Sequence, residues 1–355
     1  MNNTTKDKVL TTVQGRLGRI TLNRPRAINA LDHQMIDEVQ AALVKWEEDD
    51  DVVAVLVDGA GDRGLCAGGD VRMMRDSAIA GDTRAAAFWR DEYLLNAHIA
   101  RYTKPYVVLM DGVVMGGGVG ISAHGSVRVV SERSVIGMPE TTIGFVPDVG
   151  GTHLLSRAPG ELGTHLALTA GSVGATDALH LGLADHYVPS GRTADLIAAL
   201  EGITSAEEIT EVVAGHAETP PAGDLLEQRH WIDACYGADT VEEIVARLRS
   251  HGDPEAAKAA ETILSKSPTS VKVTLEALRR AGKLPNLSAV LEQEYRISCA
   301  ALSSPDLVEG VRAQIVDKDR NPAWDPARLE EVTDVERFFA PAPGGPLGLV
   351  DGDAR

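Results

Sequence analysis

The sequence predicts an α/β fold followed by a mostly helical C-terminal region, and three observations carry that prediction. Continuous apolar runs such as VVAVLV at 52–57 mark strands buried on both faces. Segments of helical periodicity alternate with such runs, the pattern of crossover connections between parallel strands. After about residue 190 the periodicity is helical and no convincing strand appears.

Taken in order, RLGRITLN at 16–23 alternates into a short strand that ends at Pro25. Asp32 then stands as an N-cap before Ile36, Val39, Leu43 and Trp46, which repeat at helical spacing. The 52–57 strand leaves through the glycine-rich DGAGDRGLCAGGD and enters a helix at Val71. A helical stretch near 83–101 leads to a strand at 106–110, a glycine triplet, a helix over 117–124 and a strand over 126–130. Residues 160–184 have helical character, and 183–188 can close the domain as a last short strand. Further on, Leu287, Val290, Leu291, Tyr295 and Leu302 share one apolar stripe. The division expected is an α/β core over 10–190 that carries the site, a helical region over 191–340, and a flexible Pro/Gly-rich tail over 341–355.

Composition narrows the function. A chain of 355 residues with 44% hydrophobic content can bury a large core. Its formal net charge of −18 argues against nucleic acid, whose phosphates need clustered Lys and Arg. No apolar run reaches the ~18 residues of a membrane span. The start, MNNTTKDKVL, carries neither an apolar signal region nor an Arg-rich transit pattern, so a cytoplasmic location is expected. Cys66, Cys235 and Cys299 are too scattered for a disulfide framework or a zinc site.

The most informative stretch for chemistry runs from 107 to 151, and an earlier glycine-rich loop joins it. CAGGD at 66–70 closes a loop between a buried strand and a helix; its small residues either let a ligand approach bare amides or simply make a tight turn. MGGGVG at 115–120 holds three consecutive glycines, each costing a helix about 1 kcal/mol relative to alanine. Close backbone packing or a ligand that needs the amides can justify them. One amide from each loop would make an oxyanion hole. In PETTIGFVPDVGG, Glu140 and Asp148 sit on successive rigid turns, where they can cap helices or do acid/base and nucleophilic work. GVGISA at 118–123 imitates a dinucleotide fingerprint, but Glu140 follows Pro139 in a turn instead of ending a strand. No G-x-S-x-G elbow, H-E-x-x-H or paired C-x-x-C is present, which leaves carboxylates as the reactive groups.

The segments LNRPRAINALD, GLCAGGDVR, KPYVVLMDGVVMGGGVGIS and MPETTIGFVPDVGG resemble the crotonase (enoyl-CoA hydratase/isomerase) superfamily. SPTSVKVTL, EYRISCAAL and EGVRAQIVDKDRNPAWDP resemble its branch of 3-hydroxyisobutyryl-CoA hydrolases, acyl-CoA thioesterases of valine degradation. The resemblance implies a spiral ββα-superhelix core and an acyl-CoA thioester as substrate, with CoA part of that substrate and no metal or other cofactor. It implies that Gly69 and Gly117 hold the thioester oxygen, with Glu140 and Asp148 as catalytic carboxyls. Glu92 would contact the substrate, and Arg26, Ala27, Ile28 and Ala67, with Gly68 and Asp70 beside it, would line the path of the CoA moiety. Hydratases of this superfamily carry a first glutamate where this chain has Gly120, and usually a small residue where it has Asp148. Both departures imply hydrolysis. Hydratase or isomerase chemistry and non-catalytic acyl-CoA binding stay open as alternatives, as does assembly into a homo-oligomer.

Overall fold

The structure is a computed structural model that describes residues 7–349. Among the described residues, nine strands form two sheets. The first runs β1 (Val9–Gln14), β2 (Leu17–Leu22), β3 (Ala54–Gly59), β4 (Tyr106–Met110), β6 (Val127–Val130) and β9 (His186–Tyr187), parallel except for the β1–β2 hairpin. The second joins β5 (Val113–Met115), β7 (Val135–Gly137) and β8 (Ser172–Val173). Each turn of chain therefore lays one strand in the first sheet, bends sharply, and lays a second segment almost at once. Those second segments stack on one another: Ala67 N–H donates to Ile28 O, Met115 N–H to Cys66 O, and Gly116 N–H to Gly137 O.

Residue choice explains these elements. Asp32 accepts a hydrogen bond from Met35 N at 3.1 Å and starts the His33–Glu47 helix, which buries Ile36, Val39, Leu43 and Trp46. Each such side chain contributes roughly 1.5–3 kcal/mol on burial. Strand β3 is buried on both faces because helices Thr193–Glu201 and Glu208–His216 cover the side remote from the main core with Leu196, Leu200, Ile209 and Val213. The C-terminal helices start on caps that the sequence spells out: Thr240, Asp253, Ser267 and Asn286 each accept from an amide of the following turn. One apolar cluster runs from Val9 to Leu347, so the α/β and helical regions share a core.

Several elements differ from the sequence expectation. β1 was not anticipated, because only Val9 of its six residues is buried and the strand is an exposed edge. The helix expected over 117–124 ends as regular α-helix at Gly120, and the Ser122 hydroxyl donates to Gly118 O at 2.6 Å just beyond. Residues 160–184 are two helices, Leu162–Thr169 and Ala175–His180, parted by left-handed Ala170 and strand β8. The segment expected as a loose tail is packed as far as residue 349. Leu347 is buried, Arg90 donates to Pro346 O, and Glu292 accepts from Leu347 N and Gly348 N. The remainder of that expectation, 350–355, lies outside the described residues.

Gly144 ties the two regions together. It ends the short turn Glu140–Ile143 with φ 73°, and a Cβ there would lie 2.1 Å from Asp306 O on helix Pro305–Val311. Gly144→Ala therefore combines the left-handed penalty of ~1–2 kcal/mol with an overpacking cost of ~1–3 kcal/mol. Urea denaturation of this variant is expected to show a loss of about 2–5 kcal/mol.

Candidate active site

A cavity of about 490 Å³ opens where the stacked second segments end. Gly68, Gly69, Gly116, Gly117, Glu92, Glu140 and Asp148 all line it, as does Ala67. Residues as far apart in the sequence as Ala67 and Asp148 meet here because successive turns of the same spiral deliver them. Among the described residues neither the Gly69 nor the Gly117 N–H has a hydrogen-bond acceptor. A Cβ built on Gly117 would sit 3.3 Å from Gly69 N, so the two unpaired amides are neighbours. Two adjacent free N–H groups facing a cavity can bind one oxygen that carries developing negative charge.

The glycine run serves both purposes left open by the sequence. A Cβ on Gly116 would meet Glu140 Oε1 at 2.8 Å, and one on Gly117 would meet Glu92 Oε1 at 2.6 Å, so these two bare faces make room for carboxyls. Gly118 and Gly120 are instead packed shut: their Cβ atoms would meet Cys66 O at 2.5 Å and Val149 Cβ at 2.6 Å. Position 120 thus has no space for any side chain.

Four carboxyls gather around this spot, all buried and all pushed upward in pKa. Burial raises Glu140 well above the carboxylate range, with the Asp148 charge as the next cause. Glu92 is raised for the same two reasons. Burial carries Asp148 up to about 7, opposed by the hydrogen bond from Tyr93, whose hydroxyl donates to Asp148 Oδ2 at 2.6 Å. Glu294 rises to about 8 through burial, opposed by its bonds to Thr152 and Gly150. Glu92 Oε1 and Glu140 Oε2 have no hydrogen-bond partner among the described residues. Neutral or half-titrated carboxyls with unpaired oxygens facing a cavity can hand protons to a reacting group and take them back.

The helix Arg84–Arg101 presents Glu92, Tyr93 and Asn96 inward, while its Trp89 stacks on cavity-lining Phe145 at a ring distance of 5.2 Å. The sequence reading found Glu92 but not Tyr93, Asn96 or Glu294. A polar residue in the buried stripe of an otherwise apolar helix was the available signal for each. It also missed Gln314, Ile315 and Arg320, which reach the cavity from a π-helical turn, Arg312–Val316, and the loop after it. Nothing local marks those three as site residues.

Not every expected residue lines the cavity. Asp70 does not: its carboxylate accepts from Met73 N and caps the helix Val71–Ala80. Arg26 and Ala27 are exposed on the turn Pro25–Ala27 outside the lining, and Ile28 follows in a left-handed conformation. This turn adjoins the cavity wall through the Ile28 carbonyl, which accepts from Ala67 N at 2.9 Å. Among the described residues, the group with convergent donors for a cation is His33, Asp37 and Asp91, and none of them lines the cavity. No helix of the described residues is long and apolar enough to cross a membrane.

The paired amides and buried carboxyls on this spiral α/β core are suited to acyl-transfer or proton-transfer chemistry. The chain belongs to the enoyl-CoA hydratase/isomerase family, whose sequence model matches residues 17–339, and it has the crotonase fold. It is 42% identical over 350 residues to the mitochondrial 3-hydroxyisobutyryl-CoA hydrolase of Gallus gallus, covering 96% of this chain and 91% of that one. The human protein of the same name is 42% identical over 335 residues, covering 92% and 86%. Among solved structures, a carnitinyl-CoA dehydratase from Mycobacterium thermoresistibile is 52% identical with a TM-score of 0.92, covering 98% of this chain and 100% of that chain. An enoyl-CoA hydratase from Rhodobacter sphaeroides 2.4.1 is 42% identical with a TM-score of 0.90, covering 96% and 99%.

A buried carboxyl with a raised pKa destabilises the fold once it must ionise. The folded state keeps its proton to a higher pH than the unfolded chain, so this stability is present at low pH and lost as pH rises toward 7. Asp148→Asn removes that loss. With Asp148 at about 7 in the folded state, against an ordinary aspartic acid at 3.8, the variant is expected to gain up to about 4 kcal/mol over wild type at pH 8. Near pH 4.5 the gain is expected to shrink to about 1 kcal/mol or less. Urea midpoints at the two pH values check this.

Proposed function

We propose that this protein hydrolyses the thioester of a short 3-hydroxyacyl-CoA, foremost 3-hydroxyisobutyryl-CoA, to the free 3-hydroxy acid and CoA. The observation that carries the proposal is the pairing of Asp148 with a closed position 120. The carboxyl that a hydrolase reading needs faces the cavity, and the space that a first hydratase glutamate would need is filled by Val149 and Asn96.

In this reading the thioester oxygen lies on the Gly69 and Gly117 amides, which stabilise the charge that develops as the carbonyl is attacked. Once its own proton has passed to a neighbouring carboxyl or to water, ionised Glu140 either attacks the carbon to form an anhydride that water then opens, or draws the proton from a water that attacks directly. In both routes the C–S bond breaks and the thiolate takes a proton. Asp148, half-protonated near pH 7, is the group suited to supply it. Glu92, kept neutral by burial, orients the 3-hydroxyl. The CoA moiety leaves past Ala67 toward the turn holding Arg26, with Arg320 on the cavity edge as a cation for one of its phosphates. No step calls for a metal or redox group.

A second reading, reversible hydration of an enoyl-CoA, is favoured by the likeness to two solved structures, a carnitinyl-CoA dehydratase and an enoyl-CoA hydratase. It would leave Glu140 as the main proton carrier.

Thiol release from 3-hydroxyisobutyryl-CoA by wild type and by Glu140→Gln tests the proposal. Release is expected to fall at least ~100-fold in the variant while binding of the ester persists. An unchanged thiol with an altered acyl chain would instead favour the second reading. Arg320→Ala is expected to raise KM for the CoA ester roughly 10-fold, the value of one charged hydrogen bond, and to leave KM for the matching pantetheine thioester unchanged.

A further inference from the structure

The turn that carries Asp148 is strained. Val149 has φ 53° and Gly150 φ 79°, so two successive residues are left-handed, and the first is β-branched. A valine avoids this region strongly, and it persists only where neighbours over-determine it. Two side chains do so here, the half-buried His124 and the buried Glu294. His124 Nε2 donates to Val149 O at 2.8 Å, in the neutral form that burial enforces by holding this imidazole at about 4. Glu294 accepts from Gly150 N at 2.6 Å, from Thr152 N at 2.9 Å and from the Thr152 hydroxyl at 2.5 Å.

Glu294 lies on helix Leu287–Ala301 and is fully buried. One helical turn later the same face offers Ser298, whose hydroxyl is 2.7 Å from the Tyr93 hydroxyl. Tyr93 in turn donates to Asp148 Oδ2. The C-terminal helix thus bears on Asp148 twice, on its backbone turn through Glu294 and on its carboxylate indirectly, through the Ser298 contact with Tyr93 of helix Arg84–Arg101. Capping the short helix Gly151–Leu155 accounts for the bond to Thr152 N. It does not account for a left-handed valine immediately after Asp148, which an unstrained loop would avoid.

We propose that Glu294 is a positioning residue: by clamping the Val149–Gly150 turn it aims the Asp148 carboxyl into the cavity. The proposal rests on the hydrolase reading for the role of Asp148, and its test is arranged so that the two fail separately. The variant is Glu294→Gln, in which an amide NH₂ takes the place of one acceptor oxygen and cannot satisfy both Gly150 N and Thr152. Steady-state kinetics on 3-hydroxyisobutyryl-CoA are expected to show kcat lowered 10- to 100-fold with KM within threefold of wild type, since substrate contacts are intact. The crystal structure of the variant is expected to show Val149 released from positive φ and Asp148 parted from Tyr93. Thr152→Val, a milder cut that removes only the hydroxyl donor, is expected to lower kcat several-fold and serves if the first variant does not fold. A kcat within twofold of wild type in the folded variant, or a turn and an Asp148–Tyr93 bond that stay in place, overturns the proposal even if the melting temperature falls. If wild type releases no thiol, the hydrolase reading fails, and the crystal structure still decides whether Glu294 holds the turn.

Discussion

Keeping several carboxyls out of water beside two unpaired amides is the constraint around which this molecule is arranged. Glu92, Glu140, Asp148 and Glu294 are all buried, and burial is the leading cause of the upward shift of each. Their ionisation opposes folding, so the cost must be met elsewhere, by the apolar core that runs from Val9 to Leu347 and by the donors around Asp148 and Glu294. In return the site holds carboxyls whose protonated form burial favours beside Asp148, carried to about 7, an arrangement suited to moving protons during acyl chemistry.

The spiral explains how such a site is assembled from distant sequence. Each turn ends its second segment at the same place, so Gly69, Gly117 and Glu140 become neighbours through main-chain hydrogen bonds alone. The helical region completes the site. Helix Leu287–Ala301 holds the Asp148 turn, Pro305–Val311 wedges against Gly144, and the following turn brings Gln314, Ile315 and Arg320 to the cavity edge. Truncating that region would unmake the site as well as the core.

Much of this was legible in the sequence where the cause is local. Asp32 before an apolar stripe, the 52–57 run and the glycine triplet each announce their structure, because caps, burial on two faces and bare backbone leave residue-level marks. Glu140, Asp148, Gly69, Gly117 and Glu92 do line one cavity. What escaped the reading depends on long-range geometry. Edge strand β1 has no apolar alternation to betray it, and Asp70 resembled a ligand-facing acid until its capping bond to Met73 was visible. Glu294 meets Gly150 across 144 residues, and no spacing rule predicts such a pair. The packed 341–349 segment is Pro/Gly-rich yet held by Arg90 and Glu292, two charges that composition does not connect to it.

Family membership leaves hydrolysis and hydration as neighbouring chemistries on one frame, and the proposal of hydrolysis rests on the closed position 120 beside Asp148. The most direct measurement is turnover of 3-hydroxyisobutyryl-CoA in D₂O, with the products identified by mass spectrometry. Hydrolysis predicts free CoA and 3-hydroxyisobutyrate in equal amounts, with no deuterium on carbon. An intact thioester that has lost water, or that carries deuterium at C2, would contradict it.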